Sequence, residues 1–281
     1  MTAVGMGPRA RLVLVLASSL ALLAFVWPLV VAAPPGGTDG LGHGLDAPAV
    51  FMLVLPMLLV VMLAELSAGG IDAKALAMLG VLSAVGAALR PLGAGTAGIE
   101  PSFFLLVLAG RVFGPGFGFL LGSTTLFTSA LLTGGVGPWL PFQMLAASWV
   151  GMGAGLLPPV RGRFEVALLM AYSAVAALIF GLLMNLWFWP FLTGTDSTIS
   201  YVAGAPILEN LQRLLLFSVA SSLAWDIGRA GTTLLLVGVT GSAVLAVLRR
   251  AARRAAFGAA PTFSSAAVAE RPQLGAVEPT P

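Results

Sequence analysis

The sequence predicts an all-α, polytopic membrane protein, and two observations carry that prediction. Hydrophobic residues make up 58% and charged residues 9% of the 281-residue chain, with a mean hydropathy of +1.01, far outside the range of a soluble domain. Apolar runs near the roughly 20 residues that cross a bilayer as a helix recur along the chain. Backbone groups cannot go unpaired in lipid, so helices are the default, and the alternating runs of about 10 residues that mark a β-barrel are not seen.

Runs and breakers place spans near 12–33, 49–68, 73–89, 101–113, 116–132, 141–157, 164–189 and 229–248. The first follows Arg9 and Arg11. It is too long for a signal peptide and lacks a convincing cleavage site, although Val31-Ala32-Ala33 offers small residues. The third, "AKALAMLGVLSAVGAALR", carries Ala73, Ala77, Gly80, Ala84 and Ala88 at spacings of three and four, a stripe on which another helix can lie flush. Spacing alone does not say whether that helix belongs to this chain or to a partner.

The fourth and fifth spans meet at "VFGPGFG". Gly110, Gly114, Gly118 and Gly122 recur every four residues as helix-packing positions, and Pro115 with its flanking glycines marks a tight hairpin between two short helices. Arg111, near the inner end of its span, is expected to snorkel to lipid phosphates.

"SALLTGGVGPWLPFQM" then breaks the helices with three glycines and two prolines, and irregular backbone at membrane depth is tolerated only against protein or a watery cavity. Trp139 and Phe142 offer stacking faces and Gln143 offers donors and an acceptor; an ordinary interfacial aromatic belt is the bland alternative. "NLWFWP" adds Asn185, Trp187 and Trp189 at the end of the seventh span. "WDIGRAGTT" adds Trp225, Asp226 and Arg229, and Arg90 and Glu100 bound another loop at the same expected level. Asp226 and Arg229, three apart, are expected to be helical neighbours that form an ion pair. Charged groups near membrane depth are otherwise functional suspects.

Arginine placement orients the chain. Arg9/Arg11, Lys74, Arg161/Arg163 and the cluster Arg249, Arg250, Arg253 and Arg254 should face the cytoplasm, which eight crossings satisfy with both termini inside a multi-pass plasma-membrane protein. On that count 206–227 is expected as an interfacial or re-entrant helix, and the tail after Phe257 as disordered. The expected division is 1–70 as an N-terminal helix pair, 71–256 as a core and 257–281 as the tail.

Function classes fall away in turn. The chain has no cysteine, hence no disulfide, thiolate metal site or cysteine nucleophile. A pI near 10.2 comes from scattered arginines, not an aromatic-interleaved patch, so nucleic acid is not expected as a partner. One histidine, His43, and no catalytic or nucleotide-binding motif argue against an enzyme and against a resident cofactor or metal.

From about residue 73 to residue 254 the chain resembles the membrane-embedded substrate-binding subunits, or S components, of energy-coupling factor transporters. The resemblance rests on the small-residue third span, "EPSFFLLVLAGRVFGPGFGFLLGSTT", "GGVGPWLPFQM" with "GMGAGLLP", "YSAVAALIFGLLMNLWFWP" and the "WDIGRA...LRR" ending, in that order. It implies a six-helix core, here preceded by two extra transmembrane helices. It further implies external capture of a vitamin and delivery through a membrane coupling protein with two cytoplasmic ATPases. An AxxxA-type seam contacts the coupling protein in that family, which points to Ala73/Ala77 and Ala84/Ala88, although Ala17/Ala21 has the same spacing. The long "GGxGPW" form is most similar to cobalamin-type members, so cobalamin is the first expectation, ahead of riboflavin or another vitamin. A stand-alone ion-coupled carrier using Asp226/Arg229 and a membrane scaffold are the alternatives.

Overall fold

A computed structural model describes residues 8–30, 73–93, 96–192 and 198–254, with isolated positions between 52 and 60. The expected second span at 49–68 lies almost wholly outside the described residues, as do His43 and the tail from 257. The described residues form helices α1 (Pro8–Val30), α2 (Ala73–Leu89), α3 (Ser102–Phe113), α4 (Pro115–Thr133), α5 (Leu140–Leu156), α6 (Arg163–Phe188), α7 (Ile207–Ser221) and α8 (Leu223–Arg254). Single 3-10 turns follow α2 at Arg90–Gly93 and α6 at Trp189–Phe191, and no strand occurs among the described residues.

Among the described residues, four stretches are long and apolar enough to cross a membrane: Lys74–Gly93, Pro115–Thr133, Arg163–Phe188 and Leu223–Arg253. The last is longer than the expected 229–248, because Asp226 and Arg229 do not end the helix; they pair within its first turns. The ambiguous 206–227 stretch divides at Ser222 into α7 and the start of α8.

Packing is tightest where side chains vanish. A Cβ on Gly110 or on Gly118 would meet the Gly151 carbonyl, so α3 and α4 both touch the α5 backbone at one point. Gly122 lies equally close to the Ala147 carbonyl one turn along. The hairpin between α3 and α4 turns at Gly114, whose φ of +95° no side-chain-bearing residue adopts cheaply.

Helix α1 packs on α5, α6 and α7. Phe25 sits edge-on to Phe142, with ring centroids 5.3 Å apart, and Trp149 Nε1 donates to Ser18 Oγ at 3.1 Å. These contacts set α1 antiparallel to α5. Leu14, Ala17 and Ala21 are consequently buried inside the chain, whereas Ala77, Gly80, Ala84 and Ala88 of α2 are exposed. The side chain of Ala73 lies outside the described residues.

The topology collects most basic residues at one end of the bundle: Arg9 and Arg11 opening α1, Lys74 opening α2, Arg111 closing α3, Arg161 just before α6 and Arg163 opening it, and Arg249 and Arg250 in the last turns of α8. Arg111 does not snorkel. Its Nε donates to Glu165 Oε1 at 2.8 Å, and its two terminal nitrogens donate to the carbonyls of Leu157 and Val160. Arg249 also donates to Glu165 at 2.6 Å, so one buried carboxylate ties the ends of α3 and α8 to the start of α6. The unpaired alternative, a buried carboxylate alone, would be costly in this setting.

Candidate functional site

At the opposite end, the loop from α2 to α3 folds back on the bundle. Thr96 N donates to the Gly93 carbonyl at 3.1 Å and Ile99 N to the Thr96 carbonyl at 2.8 Å, and Gly98 takes a φ of +77°. A Cβ on Gly98 would meet the Trp225 carbonyl, and one on Gly228 would meet the Ala97 carbonyl. Two bare backbones therefore touch, which seats the loop on the first turns of α8 and aims Glu100 at its arginine.

Glu100 is shared. Its Oε2 accepts from Arg229 Nε at 2.7 Å and its Oε1 from Arg90 Nε at 3.3 Å. A terminal nitrogen of Arg90 donates to Gln143 Oε1 at 3.1 Å, which brings in the start of α5. Arg229 also donates to Asp226 Oδ1 at 2.8 Å, and its guanidinium lies 4.9 Å from the Phe180 ring centroid and 5.6 Å from that of Phe103. Planar, delocalised and weakly hydrated, a guanidinium suits this mixture of carboxylates and aromatic faces. The chain of bonds continues from Asp226 Oδ2, which accepts from Ser222 at 2.9 Å, to Asn185, whose Nδ2 donates to Ser222 at 2.7 Å and to Ser218 at 3.0 Å. Gly181 makes room for it, because a Cβ there would strike the Asp226 carboxylate.

Two arginines and two carboxylates leave this network formally neutral, yet Arg90 keeps donors to spare. Arg90, Glu100, Gln143, Trp225 and Arg229 line a cavity of about 340 Å³ that opens to the outside of the fold, with Phe180 and Ser129 among its other walls.

The remaining expected site residues are not on its surface. Asp226 and Asn185 stand behind Arg229 in the hydrogen-bond chain. Phe142 is buried between Phe25 and Trp187, and Trp187 packs between Phe142 and Phe188. Trp189 is buried, donates to the Ile199 carbonyl at 2.6 Å and meets Tyr201 edge-on. Trp139 is exposed, its ring folded against Gly137. Sequence reasoning missed Ser218 and Ser222. Their signal was present, since Ser218, Ser222 and Asp226 recur every four residues, the spacing of a helix face. Phe103 and Phe180 gave no signal among so many apolar neighbours.

Buried, mutually neutralised charge facing a cavity at one end of an apolar bundle is the build of a membrane-embedded ligand-binding protein. A family model described as the ECF transporter, substrate-specific component, matches residues 74–247. The chain belongs to that family, whose members are integral membrane, substrate-binding subunits of energy-coupling factor transporters that work with a T component and ATPases; it is a transporter family and not an enzyme family. No curated protein and no solved structure matches it.

Proposed function

We propose that the cavity bounded by Arg90, Glu100, Gln143, Trp225 and Arg229 is the site at which this subunit captures a vitamin. The single observation that carries the reading is Arg90. It is fixed by Glu100 and Gln143, remains partly open to the cavity, and has unspent donors for a carbonyl or carboxylate of a ligand. Trp225 and Phe180 add apolar faces beside it.

A volume of about 340 Å³ is at the low end of pockets for drug-sized molecules. It supports a compact, acceptor-bearing ligand over cobalamin, whose corrin ring would have to stay largely outside. The ion-coupled carrier gains no support from Asp226 and Arg229, since each is already neutralised by a partner in the network.

In the same reading the basic end faces the cytoplasm by the positive-inside rule and the cavity faces outward. The open stripe of Ala77, Gly80, Ala84 and Ala88 is the coupling-protein contact, Ala17 and Ala21 being covered by this chain's own helices. The core from 71 to 256 acts as the binding unit, joined by α1.

Vesicle uptake tests the proposal. Biotin, pantothenate, riboflavin, thiamine and cobalamin are offered to vesicles containing this chain alone, or with the coupling protein and both ATPases. ATP-dependent accumulation of one compound, only with all partners present, is the expected result. Uptake by the chain alone that follows a proton or sodium gradient would overturn it.

A further inference from the structure

Helix α4 carries six hydroxyls, and three of them are spent on its own turns or its neighbours. Thr124 Oγ1 donates to the Leu120 carbonyl and Thr133 Oγ1 to the Ser129 carbonyl, each at 2.8 Å, and Ser123 Oγ donates to the Met144 carbonyl of α5 at 3.3 Å. Ser129 differs. The residue is 1% exposed and borders the cavity, and its Oγ has no hydrogen-bond partner among the described residues. Ser102 and Thr125 also carry buried hydroxyls without a partner among the described residues, but they are not part of the cavity wall. Buried side-chain polar atoms are satisfied in the large majority of cases, so an unspent hydroxyl on a pocket wall marks a place where something else supplies the bond.

We infer that Ser129 is a specificity residue of the capture site, hydrogen-bonding a second polar group at the buried end of a compact ligand whose acceptor group is held at Arg90. This rests on the cavity being the capture site. The depth of the two residues sets the ligand's direction, because Arg90 is partly solvent-accessible and Ser129 is not. The substrate class that follows is a small molecule with hydrogen-bonding groups at both ends and an apolar or flat middle, the middle lying against Phe180 and Trp225. A site that hydrogen-bonds such a group rejects analogues that lack it, since its own buried hydroxyl would then be left unpaired.

The test uses the full chain purified in detergent and the panel compound that the wild type binds most tightly. Kd is measured by titration calorimetry and apo stability by thermal unfolding, for wild type, Ser129→Ala and Gln143→Ala. For Ser129→Ala the expected result is a Kd raised about tenfold, the loss of one hydrogen bond, with an apo midpoint unchanged or higher because a buried unpaired group has gone. A Ser129→Ala Kd within about twofold of wild type, while Gln143→Ala weakens binding, overturns the role of Ser129 and leaves the capture site standing. A lowered apo midpoint in Ser129→Ala shows a structural hydroxyl and also overturns it. If none of the five compounds binds folded wild type, or Gln143→Ala binds like wild type, the capture-site reading fails and this inference fails with it.

Discussion

Arg229 of α8 donates to Glu100 at 2.7 Å across 129 positions of sequence, a bond that ties the loop after α2 to the helix on which its backbone is seated. The same carboxylate receives Arg90, so Glu100 is the joint through which three segments meet. Both side chains of the Arg229–Glu100 pair are nearly buried, which makes the pair strong only while both partners are present.

Glu100→Gln is therefore expected to be more harmful than an ordinary surface change. It leaves Arg229 and Arg90 competing for weaker acceptors and should cost about 3 kcal/mol of stability, the scale for breaking a buried pair from one side. Thermal unfolding of the purified chain measures this, and a midpoint equal to wild type would show that the pair contributes little.

Gly151→Ala should fail where Gly80→Ala succeeds. A Cβ at Gly151 would meet the Gly118 backbone, while one at Gly80 meets nothing within 4 Å. Overpacking of that kind costs about 1–3 kcal/mol, and here the obstacle is backbone and cannot rotate aside. Yield of monodisperse protein and its unfolding midpoint separate the two variants.

Ala84→Trp is expected to leave vitamin binding by the isolated chain unchanged and to abolish co-purification with the coupling protein. Ala84 is exposed on α2, so a large side chain disturbs no contact among the described residues and blocks what would lie on the stripe. Retained co-purification would move the partner contact elsewhere.

Phe25→Ala tests whether α1 is part of the working unit. The ring is 1% exposed and abuts Phe142, the residue before Gln143. Its loss should lower the unfolding midpoint, by less than the roughly 3–5 kcal/mol of a buried Phe in a water-soluble core, because lipid tails replace part of the lost contact. A midpoint equal to wild type would make α1 an appendage.

How much of this was readable in the sequence depended on whether the signal was local. The α3–α4 hairpin was legible because Gly-Pro-Gly acts within a few residues, and the observed 140–156 and 163–188 helices lie within a residue of their expected bounds. The start of α8 was not, because the last span was expected to begin at 229, with Asp226 in the segment before it; only Glu100, distant in sequence, shows why charge continues into the helix. Residue type singled out Arg90, Glu100, Gln143, Trp225 and Arg229, all of which come together at the cavity. It also singled out tryptophans, and there it could not distinguish a ring that lines a pocket, as Trp225 does, from one that fills the interior, as Trp189 does. Arg111 shows the same limit, since its carbonyl partners Leu157 and Val160 have no side-chain signature to read.

The most direct measurement is equilibrium binding of the five vitamins to the purified chain, comparing wild type with Gln143→Ala and Trp139→Ala. Capture in the Arg90–Gln143 cavity predicts that one vitamin binds the chain without its partners, that Gln143→Ala weakens it about tenfold or more, and that Trp139→Ala, altered outside the cavity, does not. Loss of binding in Trp139→Ala with full retention in Gln143→Ala would place the ligand on the exposed loop and contradict the account.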